Sequence, residues 1–187
     1  MGRQTFKRYD DWRLSMMEKH TIIVTVINSV GVLARITGLL SQRGYNIESA
    51  IAAPTEDLNI YKVSLVVEET ENHIEQIIKQ LNKLVDTIRV TDISHTDNYV
   101  VREYIILKVE VREKHRTDFF ELARVFKANL IDVADDHVIL ELAGTPRKVD
   151  RFIELVKPYG IQEYIRSGEF AMSEYQSPKK GENKNGD

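Results

Sequence analysis

One pattern constrains this chain more than any other. The spacing of its apolar residues changes from that of a strand to that of a helix and back, in the same order, twice. From His20, HTIIVTVI is β-branched and reads as a strand. Leu33, Ile36 and Leu40, with Val32 and Leu39, then fall at helical spacing, and Gly44 is placed as the residue that ends the helix. YNIESAIAA is a strand with Ile47, Ile51 and Ala53 expected on one face. Pro54 and TEDLN turn the chain. IYKVSLVV follows, with Tyr61, Val63, Leu65 and Val67 on one face. Ile74, Ile77, Ile78, Leu81 and Leu84 mark a second helix, with Thr70 as its expected cap, and DTIRVTDI closes the unit as a strand.

The second half repeats the order. VREYIILKVEV is a strand, Phe119, Leu122, Ala123 and Phe126 stripe a helix, and LIDVADD with HVILELAG forms a hairpin. TPRKVDRFIELV is a helix with Thr145 at its N-cap and Pro146 at its first position, and GIQEYIRSG is the last strand. Strand, helix, two strands, helix, strand is the order of a ferredoxin-like sandwich, with helices on one face of an antiparallel sheet. The expected fold is therefore α+β: two ferredoxin-like βαββαβ units of roughly 70 residues each, joined near Thr96–Val100. The expected division is a polar extension over 1–19, a first unit over 20–95, a second over 96–172, and a disordered polar tail over 173–187.

Composition removes several functions. A net charge of −3 without a basic stripe argues against a nucleic-acid partner. The absence of cysteine excludes disulfides, zinc–thiolate sites and thiol catalysis. No apolar run reaches the roughly 20 residues of a membrane span, and MGRQTFKRYDDWRLSMMEK has no signal-peptide core, so a cytoplasmic protein is expected. The histidines His20, His73, His95, His115 and His137 stand at no metal-ligand spacing, and are expected at surfaces and turns with no metal site. The pairs Glu68–Glu69 and Asp135–Asp136 read as solvated carboxylates. No nucleophile elbow, phosphate loop or dinucleotide fingerprint occurs, and no catalytic constellation is expected. A ferredoxin-like sheet can serve as an RNA platform, but neither half carries the aromatic pattern this needs.

What remains is the stretch from Asn28 to Ala50, NSVGVLARITGLLSQRGYNIESA. Asn28 and Gly31 sit where a strand becomes a helix; Gly44 and Asn46 sit where the helix returns to a strand. Asn and Gly are turn formers, and that alone would account for them. Gly38 costs about 1 kcal/mol against Ala in a helix, which close packing on the sheet or on a partner would explain. The alternative is a binding site. Amide groups of the first helical turn, around Val30 to Leu33, form an anion site supported by the helix dipole. The side-chain carbonyls of Asn28 and Asn46 can accept from an ammonium group. Anion donors beside neutral acceptors suit a zwitterion, and so a free amino acid.

Together with IEQIIKQLNKLVDTIRVTDI, LIDVADD and ELAGTPRKVDRFIELV, this stretch resembles the small regulatory subunits of acetolactate synthase, also called acetohydroxyacid synthase; SQRGYNIESA is their most specific signature here. The resemblance covers about residues 20–172. It implies that the first unit is an ACT domain that pairs with a second copy into one continuous sheet. An end-product amino acid, typically valine, would lie at that interface, with effector contacts from Asn28, Gly31, Val32 and Leu33 of one protomer and Asn46 and Ile47 of the other. The chain departs from relatives at Ser29 and Val30, where an acidic residue and Ser are common. The resemblance further implies no cofactor in this chain and a separate large catalytic subunit carrying thiamine diphosphate, FAD and Mg²⁺. This chain would activate that subunit and confer feedback inhibition by valine or a related branched-chain amino acid. Another ACT-type amino-acid sensor is the alternative, although no helix-turn-helix segment is evident. A small ferredoxin-like enzyme is a further one, opposed by the missing acid–base or metal cluster.

Overall fold

The computed structural model describes residues 17–96 and 98–174. Residues 1–16 of the expected extension and 175–187 of the expected tail lie outside them. The elements run β1 (Glu18–Ile27), α1 (Val32–Ser41), β2 (Ile47–Pro54), β3 (Ile60–Glu69), α2 (Glu71–Leu81) and β4 (Thr87–Asp92). Then come β5 (Tyr99–Glu110), a single 3₁₀ turn (Glu113–His115), α3 (Arg116–Phe126), β6 (Asn129–Val133), β7 (His137–Gly144), α4 (Pro146–Gly160) and β8 (Ile161–Ser173). Two antiparallel sheets result, in the orders β2-β3-β1-β4 and β6-β7-β5-β8. The orders correspond strand for strand, so the fold is α+β with two ferredoxin-like units.

Each helix pair covers one face of its sheet. Val32, Ile36 and Leu40 of α1 and Ile74, Ile77 and Leu81 of α2 pack on Ile22, Val24, Val26, Val63, Leu65 and Val67. Phe119 of α3 and Val149, Phe152 and Val156 of α4 pack on the matching positions of β5 and β7. Each such side chain contributes roughly 1.5–3 kcal/mol by leaving water. Leu33, expected on the apolar stripe, is instead exposed. The termini follow the expected chemistry with one exception. Gly44, at φ +74°, ends α1, with the Tyr45 amide donating to Leu40 and the Gly44 amide to Ser41. Thr145 Oγ1 accepts from the Lys148 amide at 3.2 Å, with Pro146 at the first helical position. Thr70 stands at the N-cap of α2, but its side chain makes no capping bond.

Strand β2 departs from the expected alternation. Ile47 pairs with Val67, but Ser49 pairs with Val66, so a bulge inserts between them. Every later side chain therefore moves to the other face. Ile47 joins the helix-side core, while Ser49, Ile51 and Ala53 turn to the opposite face.

That opposite face is covered by the second unit. β8 runs past the expected end at Gly168 to Ser173, because Glu169–Ser173 go on pairing with Tyr99–Glu103 beyond a bulge. Its far end crosses the first sheet. Thr21 Oγ1 and Ser64 Oγ both donate to Glu169, at 2.5 Å each, to its carboxylate and its carbonyl respectively. Gly168, at φ +82°, lies so close to Ser49 that a Cβ there would stand 2.5 Å from Ser49 Oγ. Beside the bulge, Arg166 forks onto the buried Glu103 through Nε (2.7 Å) and Nη2, and reaches Asp150 with Nη1 at 2.9 Å. The face an RNA platform would need on the first sheet is thus occupied by β8.

Candidate functional site

At the end of β1 the chain is held from both sides. The Ile27 amide donates to the Asp86 carbonyl (2.9 Å) and the Asn28 amide to the Asn59 carbonyl (2.7 Å). The next residues turn sharply. The Val32 amide donates to the Ser29 carbonyl at 3.1 Å, and Gly31 takes φ +80° to set the axis of α1. A side-chain network fixes the turn from beneath. Ser29 Oγ donates to Asp86 Oδ1 (2.7 Å), while Arg35 donates to Asp86 Oδ2 through Nε (2.9 Å) and Nη2 (2.6 Å). Arg35 also reaches Ser29 Oγ (2.7 Å) and the Val30 carbonyl (3.0 Å). The Ser29 hydroxyl, then the Arg35 guanidinium, hold the Asp86 carboxyl below its ordinary range.

Among the described residues, the amides of Val30, Gly31, Leu33 and Ala34 make no hydrogen bond. They flank a surface on which Val30 is 100% exposed and Ile27 and Leu33 about half so. The Asn28 side chain is exposed and makes no hydrogen bond to a described residue. The turn therefore offers unpaired N–H donors at a helix N-terminus beside a neutral carbonyl acceptor. That chemistry suits a small anion or zwitterion rather than a metal.

The expected site residues separate into two groups. Asn28, Gly31, Val32 and Leu33 share the N-terminal end of α1, although the Val32 side chain belongs to the core and its amide is occupied. Asn46 and Ile47 lie past its C-terminal end, the first exposed, the second packed on the core. The ten residues of α1 span about 15 Å, so a single chain does not bring the groups together. Sequence reasoning missed the Ser29–Arg35–Asp86 network. Its members are up to 57 positions apart, and only an isolated acid between a helix signal and a strand signal could have hinted at it.

Two expectations about charged groups are corrected. His20 is 1% exposed, not on a surface or turn, because it continues the inward alternation of Ile22 and Val24; Nδ1 meets Asp92 Oδ2 at 3.0 Å. Glu69 is likewise buried, and bonded to His73 Nδ1 at 2.7 Å. Among the described residues, no helix is long and apolar enough to cross a membrane.

A ferredoxin-like unit whose first strand-to-helix turn presents amides is the architecture of an ACT-type module, and residues 22–89 match the family model described as an AHAS small subunit-like ACT domain. Residues 102–175 match the model for the small subunit of acetolactate synthase. A probable acetolactate synthase small subunit of Archaeoglobus fulgidus is 44% identical over 154 residues, 82% of this chain and 96% of that one. The acetolactate synthase small subunit of Bacillus subtilis is 40% identical over 167 residues, 89% of this chain and 96% of that one. The crystal structure of the Thermotoga maritima small subunit superposes with a TM-score of 0.76 at 30% identity, covering 86% of this chain and 99% of that one. The chain belongs to the acetolactate synthase small-subunit family.

Proposed function

We propose that this chain is the non-catalytic regulatory subunit of an acetolactate synthase in branched-chain amino-acid biosynthesis. It activates a separate large catalytic subunit, which carries thiamine diphosphate, FAD and Mg²⁺. It confers feedback inhibition by valine or a related amino acid. The first unit, residues 20–95, binds the effector and dimerises; the second, 96–172, follows it as a ferredoxin-like domain.

One observation carries this reading: the donor-rich turn at Asn28 and the exposed Asn46 lie at opposite ends of one short helix. A single amino acid can touch both only if Asn46 comes from a second copy. β2 is the edge of the first sheet, and Ala50 and Ala52 are exposed on its helix side. Such an edge is open to pairing with another strand. A Cβ on Gly38 would meet no atom of a described residue within 4 Å, so nothing among the described residues explains that glycine. A second α1 packed across it does. Effector binding then shifts the holoenzyme between states by its differential affinity for them.

The test is the holoenzyme reconstituted with wild-type, Asn28→Ala and Asn46→Ala chains. Each substitution removes one hydrogen bond to a charged ligand, about 1.5–3 kcal/mol, which is tenfold or more in effector affinity. Activation and melting temperature should stay at wild-type values while the valine response weakens. A lowered melting temperature with unchanged inhibition would mean that the asparagines serve only the turns.

A further inference from the structure

At the other end of the first sheet, four side chains converge from three parts of the chain. Glu18 and His20 start β1, Glu71 opens α2, and His95 follows β4 on the way into the second unit. The two imidazoles meet edge to face with centroids 5.4 Å apart. Nε2 of His20 and Nε2 of His95 each lie 3.9 Å from Glu71 Oε2, and His95 Nε2 lies 3.9 Å from Glu18 Oε2. The donor atoms of Glu18, His20 and His95 all fall within 4.8 Å of one another. These separations are too long for hydrogen bonds, so the four donors do not satisfy each other.

We propose that Glu18, His20, His95 and Glu71 form a site for one divalent transition-metal ion of the zinc type. Tetrahedral coordination at 2.0–2.1 Å places ligand atoms about 3.3 Å apart, so the pairs that stand at 3.9 Å must close by roughly 0.6 Å and any wider pair by more. Glu18, Glu71 and His95 are 60–68% exposed and can rotate to do so. His20 is the fixed member, and the structure holds it in the form a ligand needs. Its Nδ1 faces Asp92, which leaves Nε2 turned toward the other three donors. Asp92 is itself anchored by the Ser94 amide (2.9 Å) and hydroxyl (2.6 Å), and Ser94 Oγ accepts from the Thr21 amide (2.8 Å). A carboxylate behind a ligating imidazole sets its tautomer and orientation. Two carboxylates balance a dication, and two imidazoles favour zinc, cobalt or nickel over magnesium. Bound there, the ion ties the start of β1 and the first turn of α2 to the segment that leads into the second unit.

The test uses the full chain, untagged and stripped of metal. Titration with Co²⁺ should give the visible bands of a tetrahedral site at one equivalent, displaced by Zn²⁺ and untouched by excess Mg²⁺. His95→Ala and Glu18→Gln alter exposed side chains and spare the buried His20. Each should weaken Zn²⁺ binding roughly 10–100-fold and abolish the cobalt bands, whereas His115→Ala, in the second unit, should change neither. Equal Zn²⁺ affinity for wild type and His95→Ala, or no saturable binding by the wild-type chain, overturns the proposal.

Discussion

Gly168 lies against Ser49 of the first unit, and a methyl group added there has two separable effects. At φ +82° an L-residue is strained by roughly 1–2 kcal/mol. The new Cβ would also stand 2.5 Å from Ser49 Oγ, 2.7 Å from Ser49 Cβ and 3.5 Å from Ile51 Cδ1. Ser49 Cβ is tied directly to the β2 backbone and cannot rotate aside. Relief requires that β8 lift from the first sheet, at an overpacking cost of about 1–3 kcal/mol. Gly168→Ala should therefore destabilise the chain by about 2–5 kcal/mol. Ser49→Gly removes both clashing atoms but leaves the backbone strain. In the double variant the second contribution should vanish and the first remain, a coupling of about 1–3 kcal/mol. Urea unfolding of wild type, both single variants and the double variant, followed by circular dichroism at one chain concentration, measures it. A Gly168→Ala variant within about 0.5 kcal/mol of wild type, or effects that simply add, would show that the units do not press on one another at this point.

Two further perturbations address the turn and the proposed dimer. The Asp86 carboxyl is held below its ordinary 3.8, so the stability it gives through Ser29 and Arg35 is present above that value and is lost as pH falls through the lower folded one. Asp86→Asn should thus differ from wild type by a constant amount between about pH 5 and 7, and the gap should begin to narrow only below about pH 4 and close once the folded carboxyl is protonated; a gap that does not narrow in acid contradicts the network. Gly38→Ala should raise the intrinsic helix preference of α1 by about 1 kcal/mol yet weaken self-association, because in the proposed dimer the open space its methyl enters is filled by the partner. Sedimentation equilibrium decides this: a dimer as tight as wild type moves the interface off α1.

The element order was legible because periodicity is local. Ile36 and Leu40, or Ile74, Ile77 and Leu81, announce a buried helix face from within a dozen residues. The core of each unit follows directly from such stripes. The features that were not legible depend on partners far along the chain. The bulge that parts Ile47 from Ile51 arises from pairing with β3, and nothing in IESAIAA marks it. In the sequence the last strand reads as GIQEYIRSG, ending at Gly168; in the structure that glycine turns the strand at a bulge and lets it approach Ser49. His20 reads as a polar strand residue until Asp92, 72 positions away, gives its buried ring a partner. At the turn, glycine and asparagine pointed to backbone chemistry, and Gly31 does adopt the left-handed conformation. The Arg35–Asp86 clasp that holds the backbone there spans 51 positions and has no local signature.

The long final strand also has a consequence for how the chain comes off the ribosome. The first unit is complete in sequence at Ile93, but the open face of its sheet, with Ile23, Ile51 and Val66, meets the far end of β8 around Gly168–Met172 among the described residues. At 5–20 residues per second, the roughly 80 residues between take about 4–16 s to synthesise. For that interval a nascent first unit, once folded, would present an apolar sheet to solvent. Trigger-factor-like holdases or early pairing of nascent chains would find their opening there, and a ribosome stalled within α4 would leave that face bare.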